Sequence, residues 1–441
     1  MADWKKYYEE HMMSTEEVVK LINSGDRIWV GNTCNVPFVQ LDALADRYEE
    51  LDNVTVLSNM FANPLKMLAD PKYGKAFHHI SYFPNAQERR AFSLGLLDYA
   101  SIPYGYIKSS IDDTYKTNVI MVETCEPDED GYVNIGLWGP FLTAQVLKGK
   151  NVEKISAVVN KYHTPATGDP DYMRIPVEKI AAFCRSDHPL LALGESAPEE
   201  IDRVIASQIM QFVRDGDTVQ VGKGGLGNAI GFDLNTKKDI DIYSEILSDW
   251  IVDLSNQGVI RNVVAGGCFG TQPLYDFANN AKNVTFKTIP CLATPDAVAE
   301  MDNFVAINTC MMADLTGQAC SEGSGAWQYS AVGGQLEFVK GANKIRLNGG
   351  RAYNILALRS TRTDKDGKVY SNIVTEFPPA SAVTTPRGEA MYYATEFGVV
   401  DLWGKALNER VVAMISIAHP DFREELKARA IELKLAKPQD F

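Results

Sequence analysis

Short runs of alternating or β-branched residues recur along this chain, at Arg27 to Val30, Val54 to Leu57, Val119 to Glu123 and Ile155 to Asn160. Helical or Gly/Pro-containing stretches separate them, which is the βαβ rhythm of a mostly parallel sheet. Residues 14 to 24 have helical spacing, with Ser14 placed as an N-cap and Glu16 and Glu17 in the first turn. Residues 422 to 436 read as a terminal charged helix. The pattern then repeats. Leu21 to Gly31 reads as a helix end, a Gly-Asp turn and an alternating strand, and Phe212 to Gly222 has the same order. The following strand repeats too, Val54 to Asn59 matching Ile240 to Glu245, so Asn59 in the first copy corresponds to Glu245 in the second. A weaker echo places Thr124-Cys125 before Gly131 much as Thr309-Cys310 precedes Gly317. The expected fold is α/β, two duplicated open α/β domains with mostly parallel sheets. The Pro-containing, strand-free stretch from Ser186 to Glu200 puts the boundary between residues 1–190 and 191–441.

Composition narrows the picture. With 441 residues, 45% of them hydrophobic, each copy is long enough to bury its own core. No apolar run approaches the roughly 20 residues of a membrane span, and Met1 to Lys6 lacks the apolar centre of a signal peptide, so a cytoplasmic protein is expected. The seven cysteines are spread without a Cys-x-x-Cys pair, which predicts mostly buried, reduced thiols and neither a disulfide framework nor a zinc site. His78 and His79 are adjacent, diverge in direction and have no third ligand at zinc spacing, so no metal is expected there. A net charge of −14 argues against nucleic-acid binding, and any anionic ligand must find a local cationic patch. The densest cationic stretch, Lys340, Lys344, Arg346, Arg351, Arg359 and Arg362, is either that patch or an ordinary solvated surface.

Candidate chemistry concentrates around Glu245. A duplicated fold needs only one copy of a reactive group, and a carboxylate at a strand end can act as base, ligand or nucleophile. Before it, Val219 to Asn228 is a strand running into a glycine-rich turn, in which Gly222, Gly224 and Gly227 satisfy G-x-G-x-x-G. That pattern admits a nicotinamide-dependent oxidoreductase with Glu245 on a ribose hydroxyl. Against it, the segment from Asn228 to Asn235 is a short helix interrupted by Gly231, whereas the fingerprint needs a full helix N-terminus on the pyrophosphate. A second glycine pair, Gly333-Gly334, precedes the apolar segment Leu336 to Ala342, where backbone N–H groups can converge on an oxyanion.

Together with Thr395-Glu396-Phe397-Gly398, Ile415 to Arg423 and the Pro127 to Gly131 segment, these motifs resemble the acetyl-CoA hydrolase/transferase family of acyl-CoA:carboxylate CoA-transferases, similar in pattern to the butyryl-CoA:acetate and 4-hydroxybutyrate enzymes. The resemblance implies a site between the two domains and a likeness of role by position. Glu245, in Tyr243-Ser244-Glu245-Ile246, matches the family's covalent nucleophile; Gly222, Lys223, Gly224, Gly225 and Leu226 match the loop that contacts coenzyme A; Gly333 and Gly334 match the pair lining the thioester. It implies transfer of coenzyme A between a short-chain acyl-CoA and a carboxylate such as acetate, with acyl-CoA hydrolysis as the alternative. The coenzyme A thioester enters as substrate, with no permanently bound cofactor and no metal, and a homo-oligomer without nucleic-acid or membrane partners is expected. The chain departs from the pattern at Tyr243, where histidine is common, and at Lys223, where an apolar residue is usual. Lys223 beside the turn is expected to lower the pKa of Glu245 or to hold the incoming carboxylate.

Overall fold

The computed structural model describes residues 4–61, 63–192, 194 and 197–441. Two large sheets dominate it. The first contains β1 (Arg27–Thr33), β2 (Val54–Phe61), β3 (Phe77–Ser81), β4 (Leu97–Tyr99), β5 (Val119–Thr124), β6 (Lys154–Val159) and β7 (Ala182–Arg185). The second contains β8 (Thr218–Val221), β9 (Ile240–Leu247), β10 (Ile260–Cys268), β11 (Val284–Phe286), β12 (Phe304–Thr309), β13 (Ala352–Ala357), β14 (Tyr392–Thr395) and β15 (Gly398–Asp401).

The order in the first sheet is β4-β3-β2-β1-β5-β6-β7, and in the second β11-β10-β9-β8-β12-β13-β14-β15. Element by element the second repeats the first and adds one antiparallel edge strand, β15 on β14. The register repeats as well. Arg27 and Ile28 pair with Thr55 and Val56, while their counterparts Thr218 and Val219 pair with Asp241 and Ile242, all in parallel. The turn that feeds each copy is built identically. Gly25 and Gly216 take φ near +80°, which a β-carbon disfavours, and their N–H groups donate to Asp52 O and Lys238 O. The next residue, Asp26 or Asp217, accepts from the amide of Asn23 or Arg214 at 2.8 Å in both copies.

The chain forms two compact units, residues 1–193 with 264–292, and residues 194–263 with 293–441. In the first, Ile28, Val30, Val54, Val56, Val119 and Met121 pack with Leu41 and Leu44 in one core. In the second, Leu356, Tyr393, Val411 and Met414 anchor another. Among the described residues no helix is long and apolar enough to cross a membrane. Six of the seven cysteines are buried and free, and Cys291 is exposed and free.

Local details refine the expected elements. The segment expected as one helix over residues 14–24 is an α-helix only over Thr15–Val18, followed by a 3₁₀ turn over Val19–Leu21. Ser14 caps it through a full capping box with Glu17, and beyond its end Arg47 donates to the carbonyls of Val19 and Ile22. The C-terminal helix runs Pro420–Glu432, and His419 caps it by accepting from Asp421 N at 3.3 Å. His78 and His79 point to opposite faces of β3; His79 is buried against Ser58 Oγ at 2.8 Å, and burial holds its pKa down at about 3.

Candidate active site

Glu245 lies on β9, two residues before its end, and not beyond the strand. Its neighbour Ser244 points to the other face and donates to Val221 O at 2.9 Å, tying the end of β9 to the end of β8. From Val221 the chain enters the glycine turn. Gly222 N donates to Ile307 O at 2.9 Å, Gly224 adopts φ +135°, and α1 (Gly225–Asp233) begins at once. Gly227 is obligatory, because a β-carbon there would lie 1.9 Å from Gly222 O. Lys223 and Gly224 are exposed at the turn while Leu226 is turned into the core.

Gly231 does not interrupt α1. A β-carbon at that position would lie 2.3 Å from the Trp250 indole, so the glycine lets the ring pack flush on an unbroken helix. A strand, a glycine turn and an unbroken helix therefore follow one another here, and the objection from a broken helix falls.

The second glycine pair comes to the same place. Gly333 takes φ +61° and Gly334 caps α2 (Gln335–Leu347). Gly334 touches the carboxyl of Glu245: a β-carbon on Gly334 would lie 1.7 Å from Glu245 Oε1. Gln335 anchors the helix start by donating to Thr385 Oγ1 at 3.0 Å. Of the residues singled out from sequence, the structure thus joins Glu245 and Gly334 directly and places Gly222 to Leu226 at the end of the adjacent strand.

Glu245 is half-buried as a residue, but its Oε1 is sealed from solvent without a hydrogen-bond partner among the described residues. Burial, reinforced by the Glu337 carboxylate, pushes its pKa up to about 8. The expectation that Lys223 would lower it is therefore corrected: desolvation and a like charge dominate. Glu337 escaped sequence reading because an acid in a helix's first turn looks like an ordinary start signal. Here it is almost fully buried in the first turn of α2.

The cationic stretch from Lys340 to Arg362 is mostly committed to holding the second unit together. Lys344 pairs with Asp296 and Arg351 with buried Asp217; Arg359 meets Asp202 at 2.8 Å and Glu199 at 3.0 Å; Arg362 donates to Asn372 at 2.8 Å. Arg346 lies over the Trp403 ring, and Lys340 is exposed.

Comparison with known proteins gives a consistent picture. The model of the acetyl-CoA hydrolase/transferase N-terminal domain matches residues 1–228, and that of the C-terminal domain matches residues 270–430. The 4-hydroxybutyrate coenzyme A transferase of Clostridium kluyveri is 31% identical over 434 residues, covering 96% of this chain and 98% of that protein. The butyryl-CoA:acetate CoA-transferase of Anaerostipes caccae is 31% identical over 442 residues, covering 96% of each. Among solved structures, RipA from Yersinia pestis is 28% identical, with a TM-score of 0.88 over 98% of this chain and 100% of that one. Two domain models matched in chain order, and relatives of this identity along nearly its whole length, show that the chain belongs to the acetyl-CoA hydrolase/transferase family.

Proposed function

We propose that this CoA-transferase moves coenzyme A from a short-chain acyl-CoA, such as acetyl-, propionyl-, butyryl- or 4-hydroxybutyryl-CoA, to a carboxylate such as acetate, by a ping-pong cycle on Glu245. The observation that carries this reading is the contact between Glu245 Oε1 and the backbone of Gly334, which sets a carboxylate against the start of a helix. Amides at a helix start lack intrahelical acceptors and are available to a developing oxyanion.

A carboxylate oxygen of Glu245 attacks the thioester carbonyl, the C–S bond breaks, and the thiolate leaves with its electron pair, giving an acyl-glutamyl anhydride. The thiolate then attacks the glutamyl carbonyl, the anhydride C–O bond breaks, and the original acyl group departs as a free carboxylate. What remains is a glutamyl-CoA thioester. An incoming carboxylate runs the two steps in reverse and leaves as the new acyl-CoA. Backbone donors at Gly333 and Gly334 stabilise the successive oxyanions, at roughly 2.7 to 4 kcal/mol per donor. The glycine turn from Gly222 to Leu226 holds the coenzyme, whose distant contacts supply binding energy for the unstable intermediates. Transfer in place of hydrolysis requires that water be kept from the anhydride, which it would otherwise consume.

Only ionised Glu245 is nucleophilic. With its pKa raised to about 8, the free site holds the protonated form below that pH and gains the reactive form as pH rises through it. Borohydride reduction after incubation with butyryl-CoA alone should convert the side chain at position 245 to an alcohol, read by peptide mass, in a yield that rises from pH 6 to pH 9. Glu245→Ala should give no reduced product and lose roughly 10⁴-fold or more in transfer rate. Transfer by that variant at an undiminished rate would overturn the proposal, and thiol release equally fast without any carboxylate acceptor would replace transfer by hydrolysis.

A further inference from the structure

At the edge of the second sheet opposite the one that carries Glu245 lies a cationic cavity that the chemistry of Glu245 does not use. Strands β9, β8, β12, β13 and β14 run parallel, and Glu245 sits near the carboxyl end of β9. Arg387 and Gly388 come just before β14, while Trp403, Gly404 and Lys405 follow β15, which runs antiparallel to β14. Both segments therefore meet at the amino-terminal edge of the sheet. Together with Leu407 and Arg410 of α3 (Leu407–Ser416), they line an open cavity of 620 Å³.

Three cations and no acid line it, on a chain whose net charge is −14. Among the described residues Arg387, Lys405 and Arg410 form no ion pair. Arg410 is only 9% exposed, and its Nε, Nη1 and Nη2 donate to the carbonyls of Leu402 at 3.2 Å, Thr316 at 2.6 Å and Ala390 at 3.4 Å. Those acceptors are neutral, so the guanidinium is held without a counter-ion, and a buried charge left unpaired is costly. Burial, together with the like charge of Arg387, holds its pKa below the usual range. The acids closest to the cavity along the chain face other partners: Glu389 accepts from Asn343 Nδ2, Asp401 from Trp403 N and Glu409 from Ala406 N, each at 2.8 Å. Asp314, which also acts on Arg410, accepts from Thr316 Oγ1 at 2.8 Å and Gln318 Nε2 at 2.6 Å. The cavity has an apolar side as well, since Trp403 and Leu407 are each 40% exposed. Arg346 covers one face of the Trp403 ring, with its guanidinium carbon 5.5 Å from the centroid, and adds a further positive charge.

We propose that this cavity binds a nucleoside diphosphate, with its phosphates on Arg387, Lys405 and Arg410 and its base against Trp403 and Leu407. A diphosphate ester carries about three negative charges near neutral pH, one for each cation, and its oxygens suit the forked N–H groups of arginine. The exposed indole offers a surface on which any nucleobase can stack. A small carboxylate leaves Trp403 and Leu407 bare. Water, an uncharged ring or an ammonium leaves Arg410 without a counter-ion.

Calorimetric titration of the full chain, in the absence of metal ions, compares ADP, adenosine, pyrophosphate and citrate. Saturable ADP binding is expected, at least 10-fold tighter than that of the other three. Arg387→Ala combined with Lys405→Ala should weaken ADP and pyrophosphate at least 10-fold, whereas Trp403→Ala should weaken ADP at least 3-fold and leave pyrophosphate unchanged. All three side chains are exposed, so these variants should melt as the parent does. Their KM for acyl-CoA should also be unchanged, which separates the cavity from the coenzyme's own site. Absence of saturable ADP binding, pyrophosphate or citrate bound as tightly as ADP, ADP binding unchanged in the variants, or a raised KM for acyl-CoA overturns the proposal. The role of Glu245 plays no part in these outcomes.

Discussion

Gly334 shows how a single missing β-carbon can define a site. Its φ of −110° is open to any residue, so alanine fits the backbone there without strain. What alanine cannot do is share space with Glu245 Oε1, which would lie 1.7 Å from the new carbon. Gly334→Ala is therefore expected to fold normally, to bind acyl-CoA with little change in KM, and to lose about 100-fold in kcat, because displacing a reacting group by about 1 Å costs on that order. Steady-state kinetics beside a thermal melt separate this from a folding defect; an unchanged kcat would show that the contact has no part in catalysis. The glycine pair was visible in sequence as a candidate oxyanion site. Its contact with Glu245 was not, because 88 positions of intervening chain carry no distance information.

At the level of elements, the strand, turn and helix around Gly222 to Asp233 shows propensity and packing giving opposite readings. Gly231 in a helix interior costs about 1 kcal/mol in propensity relative to alanine, and on that ground it reads as a break. The helix runs through it because Trp250 occupies the side-chain position. Gly231→Ala should therefore destabilise the protein by about 1 to 3 kcal/mol through overpacking, despite alanine's better helix propensity. Chemical denaturation measures it, and a variant as stable as the parent would mean that Trp250 shifts at no cost. Beyond the end of the helix at Val18, Arg47, distant in sequence, donates to the carbonyls of Val19 and Ile22. Caps within four residues, such as Ser14 with Glu17, were legible; contacts from elsewhere in the chain were not.

Across the whole molecule the two sheets repeat one another in order and register, yet their ends have diverged. Where the second copy presents Glu245 to Gly334, the first holds Asn59 fully buried, with neither amide atom hydrogen-bonded among the described residues. Asn59→Glu in a Glu245→Ala background is expected to restore no transfer, since a carboxylate alone lacks the helix start and glycine turn of the second copy. It should also destabilise by about 3 to 5 kcal/mol, the cost of an uncompensated buried charge, or remain protonated. Activity assays and denaturation midpoints decide both points, and recovered activity would show that the first copy retains a working site. The duplication, the strand rhythm and the Gly-Asp turns were determined by the sequence itself, because each rests on residue spacing within one or two elements, and the proposal of Glu245 as nucleophile rests on that duplication together with the family resemblance. Tertiary structure alone decided that Gly334 lies against Glu245, that burial and Glu337 raise that carboxyl where a neighbouring lysine was expected to lower it, and that Lys344, Arg351 and Arg359 of the cationic stretch are held in ion pairs. Those outcomes depend on desolvation and on distances between segments remote in sequence, and neither is encoded in local pattern.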